Sequence, residues 1–150
     1  MRMYRTFAAM VATSTAIMLP LMYLNTYSAD HAYFSETRAF MALVMGAAMA
    51  LLMLAFMRHM LTSTKANTVI VILAAAVFAL SLWLVRSQAT VDDLSYMKAM
   101  IPHHSIAIMT SKRANITDPR VRKLADGIIE AQVREIGEMK SLIADLEHKK

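Results

Sequence analysis

Asn67-Thr68-Val69-Ile70-Val71-Ile72-Leu73-Ala74-Ala75-Ala76-Val77-Phe78-Ala79-Leu80-Ser81-Leu82-Trp83-Leu84-Val85 is a run of nineteen residues without a charge. A helix that crosses a bilayer needs ~20 predominantly apolar residues, so this run reads as a transmembrane span in contact with membrane lipid. Toward the N-terminus, Ala39 to Met57 and Phe7 to Tyr27 have the same character, and no charge interrupts either. The expectation is an all-α chain whose residues 1–86 form a membrane anchor with three transmembrane helices, at about 7–27, 39–57 and 67–85. Pro20 can kink the first span where neighbouring groups satisfy the freed carbonyl. Tyr23, Tyr27, Tyr33 and Trp83 suit the interfaces.

The hydrophobic share, 57%, exceeds the ~45–50% of soluble proteins, and the excess sits before Arg86. After that point, residues 87–150 carry ten Lys/Arg against nine Asp/Glu, a balance of +1 out of the net +5. No basic face marks that segment, so nucleic acid is not an expected partner. Cysteine is absent, which excludes thiolate metal sites. Arg2 and Arg5 precede the first span, and Arg58 and Lys65 lie between the second and third, while the first loop has Asp30 and Glu36 against Arg38. The positive-inside rule then puts the N-terminus in the cytoplasm and the C-terminal domain outside the cytoplasmic membrane. A signal-peptide reading of the first run meets a poor cleavage site at Tyr27-Ser28-Ala29, and cleavage leaves the C-terminal placement unchanged.

Met41, Met45, Met49, Met53 and Met57 recur every four residues in the second span. Thioethers are soft ligands for Cu(I), so the stripe is a candidate copper path, but Met is also an adaptable packer beside Gly46 and several Ala. In the C-terminal segment, Thr90 or Asp92 can cap a helix running to about Arg113, and Thr117-Asp118-Pro119 starts a second one to about Glu147. Val121, Leu124, Ile128, Met139, Leu142 and Leu146 fall on one stripe of that second helix, which also takes in Gln132 and Glu135. A carboxylate there needs a pairing group or a metal.

The first of these helices holds Met97-Lys98-Ala99-Met100-Ile101-Pro102-His103-His104. His104 shares a face with Met97, Ile101 and Ile108, whereas His103 lies about 100° away. Met100 reaches His103 at i+3 and His104 at i+4, spacings at which side chains meet. Thioether with imidazole suits copper better than magnesium, calcium or manganese. Pro102 lacks an N–H and disfavours α geometry at Ile101, so a kink or restart is expected before the histidines. His31 in the outer loop is a weaker candidate, and His59 and His148 read as exposed.

These residues, Met97-x-x-Met100-Ile101-Pro102-His103-His104 followed by Leu124-Ala125-x-x-Ile128-Ile129-x-x-Gln132-x-x-Glu135-Ile136-x-x-Met139, resemble a bacterial paired-histidine family of unknown function in the ferritin-like superfamily. That family includes CopM-type periplasmic copper-binding proteins. The resemblance covers about Val91 to Leu146 and implies an exported helical domain for copper handling, with the paired histidines as its hallmark. It implies a candidate metal set of His103, His104, Met100, Met97, Glu135 and Met139, and no organic cofactor. Fuller members carry two helix pairs, so the single pair here implies half of a four-helix bundle, completed by a homodimer or higher oligomer. A di-iron site is not expected, because no Glu-x-x-His occurs.

The expected function is copper binding and sequestration by a membrane-tethered module in copper homeostasis or tolerance, with copper-handling proteins as partners. No nucleophile, triad or phosphate loop points to an enzyme. The alternatives are a structural or assembly subunit whose C-terminal helices dock a partner, and a cuprous oxidase.

Overall fold

The computed structural model describes residues 2–148; Met1 and the last two residues, at which the C-terminal domain of the sequence ends, lie outside the described residues. Among the described residues there are five α-helices, one short 3-10 turn and no strand: α1 (Arg2–Leu21), the turn Ala29–His31, α2 (Glu36–Phe56), α3 (Thr64–Ser87), α4 (Asp93–Arg113) and α5 (Pro119–His148). They fall into two compact units, Met1–Met22 with Thr37–Thr90, and Tyr23–Glu36 with Val91–Lys150.

In the first unit, two helices rather than the expected three are long and apolar enough to cross a membrane: α2 with 21 residues and α3 with 24. The first expected span falls short for two reasons. Its helix ends at Leu21, directly after Pro20, instead of reaching Tyr27. It also starts on Arg2 and Arg5 and carries Thr6, Thr13, Ser14 and Thr15, which dilute its apolar character. Pro20 thus sits in the last turn of the helix.

Phe7, Ala50, Leu54, Leu61 and Ala74 form the buried cluster of this unit. Gly46 is required there: a Cβ at that position would collide with the Thr15 side chain. The Tyr4 hydroxyl ties the ends together by donating to Asn67 Oδ1 at 2.9 Å and accepting from Ser63 N at 3.0 Å. The methionines of α2 are half-buried, and Met53 and Met57 pack on this cluster.

The second unit is an α4–α5 hairpin with residues 23–36 packed on it. Asp92 caps α4 by accepting from Ser95 N at 2.7 Å, and the helix runs unbroken through Pro102. Pro102 is buried, so packing around it holds α geometry at Ile101 despite the local preference against it. Met97, Ile101 and Ile108 of α4 bury against Ile136 and Ile143 of α5, with Met139, Leu146, Leu94 and Tyr33 packed around them. Lys98 Nζ meets Glu147 Oε1 at 2.6 Å, and Arg122 Nη2 donates to the Ser111 carbonyl at 2.9 Å, so the hairpin is fastened at both ends.

The buried face of α5 differs from the expected stripe. Ala125, Ile136 and Ile143 point inward, and Val121, Leu124, Ile128 and Leu142 are exposed. Helix α5 carries two apolar arcs side by side, and one partner helix with a loop covers only one of them.

Candidate metal site

Helix α4 places His104 and Ser105 on opposite flanks of its buried seam, and each flank meets a different neighbour. His104 Nε2 lies 2.7 Å from Glu135 Oε2 on α5. The imidazole is 12% exposed and the carboxylate 41%. Glu135 thus finds its pairing group in His104. A carboxylate can only accept, so Nε2 carries the proton of this bond. His104 Nδ1 is buried and has no hydrogen-bond partner. A protonated Nδ1 would be a stranded donor, whereas an unprotonated one is a lone pair held in a dry place. A carboxylate fixing one ring nitrogen so that the other presents its lone pair is the arrangement that metal-binding histidines use.

The other candidates stand at different distances from this pair. Met97 is buried in the apolar cluster between α4 and α5, and Met139 packs against that cluster. Met100 is half-buried one turn before His104. His103 is exposed, with its ring centroid 6.2 Å from that of His104. Among the described residues, no three His, Cys, Asp or Glu side chains gather around one point that could hold an ion. A cage of carboxylates and imidazoles alone is therefore not formed.

Ser105 faces the segment Tyr23–Glu36 and is fully buried. Its Oγ accepts from Tyr27 N at 2.7 Å and lies 2.9 Å from His31 Nδ1. Asp30 meets Lys140 Nζ of α5 at 2.5 Å and also bonds Ser28. These contacts hold the Asp30 carboxyl far below the usual range, with the Lys140 hydrogen bond as the main cause. His31 is held below its ordinary value by burial, opposed by Asp30 and assisted by Lys140. Lys112 of α4 sits 4.6 Å above the Tyr27 ring and donates to its hydroxyl at 3.1 Å. Sequence reasoning gave His31 little weight and passed over Ser105, Lys112 and Lys140. The available signal was Ser105 itself, a small hydroxyl residue in register with Ile101 and Ile108.

Residues 86–150 match the family described as a domain of unknown function (DUF305). The chain is 38% identical over 106 residues to an uncharacterized protein of Acanthamoeba polyphaga mimivirus, across 69% of this chain and 68% of that relative. No solved structure matches. The similarity to the viral relative runs through two thirds of both proteins and the domain match takes in the whole α4–α5 hairpin, so the chain belongs to the DUF305 family.

Proposed function

We propose that this chain is a membrane-tethered metal-binding protein whose α4–α5 domain lies outside the cytoplasmic membrane and holds copper for sequestration or transfer to copper-handling proteins. The single observation that carries the reading is the His104 ring, oriented by Glu135 with its Nδ1 lone pair buried and unpartnered. A buried polar atom without a partner costs about 1–3 kcal/mol, a cost that a bound cation relieves. Copper supplies a soft cation matched to one imidazole and the thioethers of Met97, Met100 and Met139. His103, exposed and next in the chain, is placed to take metal from solution or pass it on. The finer family likeness, a ferritin-like, CopM-type copper protein, agrees with this donor set and belongs to the same proposal.

Three observations support this topology. Residues 23–36 and the α4–α5 hairpin form one unit, so they lie on the same side of any membrane. Crossings by α2 and α3, an even number, return the chain to that side. The basic residues Arg58 and Lys65 between those two helices favour the cytoplasm for the opposite side.

Titration of the full chain in detergent micelles with Cu(I) against a competing chelator tests the reading. Tight binding is expected, with His104→Ala at least tenfold weaker and Glu135→Gln weaker by ~10–100-fold, as for groups that orient a ligand. Equal affinity in wild type and His104→Ala, with helicity preserved, contradicts it.

A further inference from the structure

Where the loop 57–63 joins α2 to α3, a cleft of about 440 Å3 opens between the two helices. That volume is within the ~300–1,000 Å3 of ligand clefts. Its depth is apolar, with Leu51, Val71 and Ile72, and its mouth is polar, with Arg58, Thr64 and Thr68. Thr64 and Ile72 stand eight residues apart on α3, so the cleft runs roughly 12 Å from the loop end into the span. Val71 and Ile72 are 45% and 61% exposed, which leaves the apolar part open to the side. The mouth is a built structure. Asn67, which also lines it, donates through Nδ2 to the Leu61 carbonyl at 2.7 Å and accepts the Tyr4 hydroxyl on Oδ1. The second bond brings the first turns of α1, with Arg2 and Arg5, to the same end of the unit.

Charge selects the occupant. The unit formed by residues 1–22 and 37–90 contains six Lys/Arg and no Asp or Glu. Four of the six, Arg2, Arg5, Arg58 and Lys65, gather at the loop end, so the positive mouth has no carboxylate of its own unit to balance it. We propose that this cleft binds one anionic phospholipid, its phosphate at Arg58 with Lys65 beside it and its acyl chain along Leu51, Val71 and Ile72. Basic pockets between spanning helices on the cytoplasmic side hold acidic headgroups in this way. The Thr64 and Thr68 hydroxyls can donate to phosphate oxygens. Inorganic phosphate would use the mouth and leave the apolar depth empty, and a zwitterionic lipid would leave the excess positive charge unbalanced. The inference rests on α2 and α3 crossing a membrane and is independent of the metal reading.

The test titrates the full chain in uncharged detergent micelles with phosphatidylglycerol or phosphatidylcholine, each carrying a fluorescent label at the end of one acyl chain. Phosphatidylglycerol should bind at one saturable site at least fivefold more tightly than phosphatidylcholine. Arg58→Gln should remove that preference, whereas Arg86→Gln, at the far end of α3, should keep it. Ala55→Phe, which fills the cleft from α2, should weaken both lipids at least fivefold with helicity unchanged. Inorganic phosphate should displace neither lipid more than chloride does at equal ionic strength. The inference is overturned if Arg58→Gln retains the preference, if Arg86→Gln abolishes it equally, if Ala55→Phe binds like wild type, or if inorganic phosphate competes. Reconstitution into phosphatidylcholine vesicles separates the two readings. Protein that resists alkaline carbonate extraction but shows no headgroup preference overturns this inference alone. Protein that carbonate strips from the vesicles overturns the membrane reading, and this inference with it.

Discussion

Ser105 Oγ lies 2.9 Å from His31 Nδ1, joining the buried face of α4 to a ring 74 positions earlier in the chain. The same hydroxyl accepts the Tyr27 amide. One small side chain therefore fastens the segment between α1 and α2 to the hairpin that carries His104. Replacing Ser105 with Ala strands a partly buried N–H and removes the His31 contact, a loss of about 1–3 kcal/mol. Hydrogen exchange should report it as a ten- to hundredfold loss of protection within 23–36, with α5 less affected. Unchanged protection would show that Asp30–Lys140 and Lys112–Tyr27 hold the segment without it.

The same clasp should depend on pH, through His31. Its ordinary value is 6.5 and the folded value is lower, because burial disfavours the charged ring and Lys140 adds repulsion while Asp30 opposes both. The released state then binds more protons, so the clasp is at full strength above 6.5 and weakens as pH falls from there through the folded value. Asp30 is lowered from 3.8, so its contribution is present above that value and fades only in stronger acid. Opening free energies for 23–36, measured by hydrogen exchange between about pH 4.5 and 7.5, should fall with acidity in wild type and run flat in His31→Asn. A wild-type profile without slope in that range would contradict the assignment.

Much of this architecture can be read from residue pattern. Asp92, Pro119 and the apolar runs mark their helices directly, and the order of α4 and α5 follows from caps and period. Three features escape such a reading because they depend on tertiary partners. The first apolar run ends at Leu21 because the following residues, Tyr23 and Tyr27 among them, are drawn into the other unit. The inward arc of α5 is the one carrying Ile136 and Ile143, a choice between two comparable arcs that the position of α4 makes. Pro102 stays within its helix because burial outweighs the local bias. At the site, His104 and Glu135 are both legible as candidates, whereas their direct contact and the dry, unpartnered Nδ1 are visible only in three dimensions.

Gly46 supplies a test of the first unit. Gly46→Val should prevent α1 from approaching α2 at Thr15, since the added atoms meet a side chain that its own bond to the Val11 carbonyl holds in place. Overpacking of this kind costs typically ~1–3 kcal/mol. A lowered midpoint of thermal unfolding in micelles is expected, with partial recovery in Gly46→Val combined with Thr15→Gly. No change in the single variant would place the close contact in doubt.

The α2 methionines should prove to be packing residues. Replacing Met45, Met49 and Met53 with Leu keeps volume, and such exchanges usually cost below ~1.5 kcal/mol each. Copper affinity of the full chain and copper tolerance of cells that express it should both stay at the wild-type level. Lost tolerance at normal protein abundance would assign the stripe a part in metal movement.

The central claim concerns one atom, and imidazole nitrogen NMR of the full chain labelled with nitrogen-15 at histidine observes it directly. In the metal-free protein His104 should be protonated at Nε2 and bare at Nδ1, and addition of Cu(I) should shift Nδ1 while Nε2 keeps its proton toward Glu135. A His104 ring protonated at Nδ1, or one whose Nδ1 resonance is unmoved when copper is bound, would contradict the account.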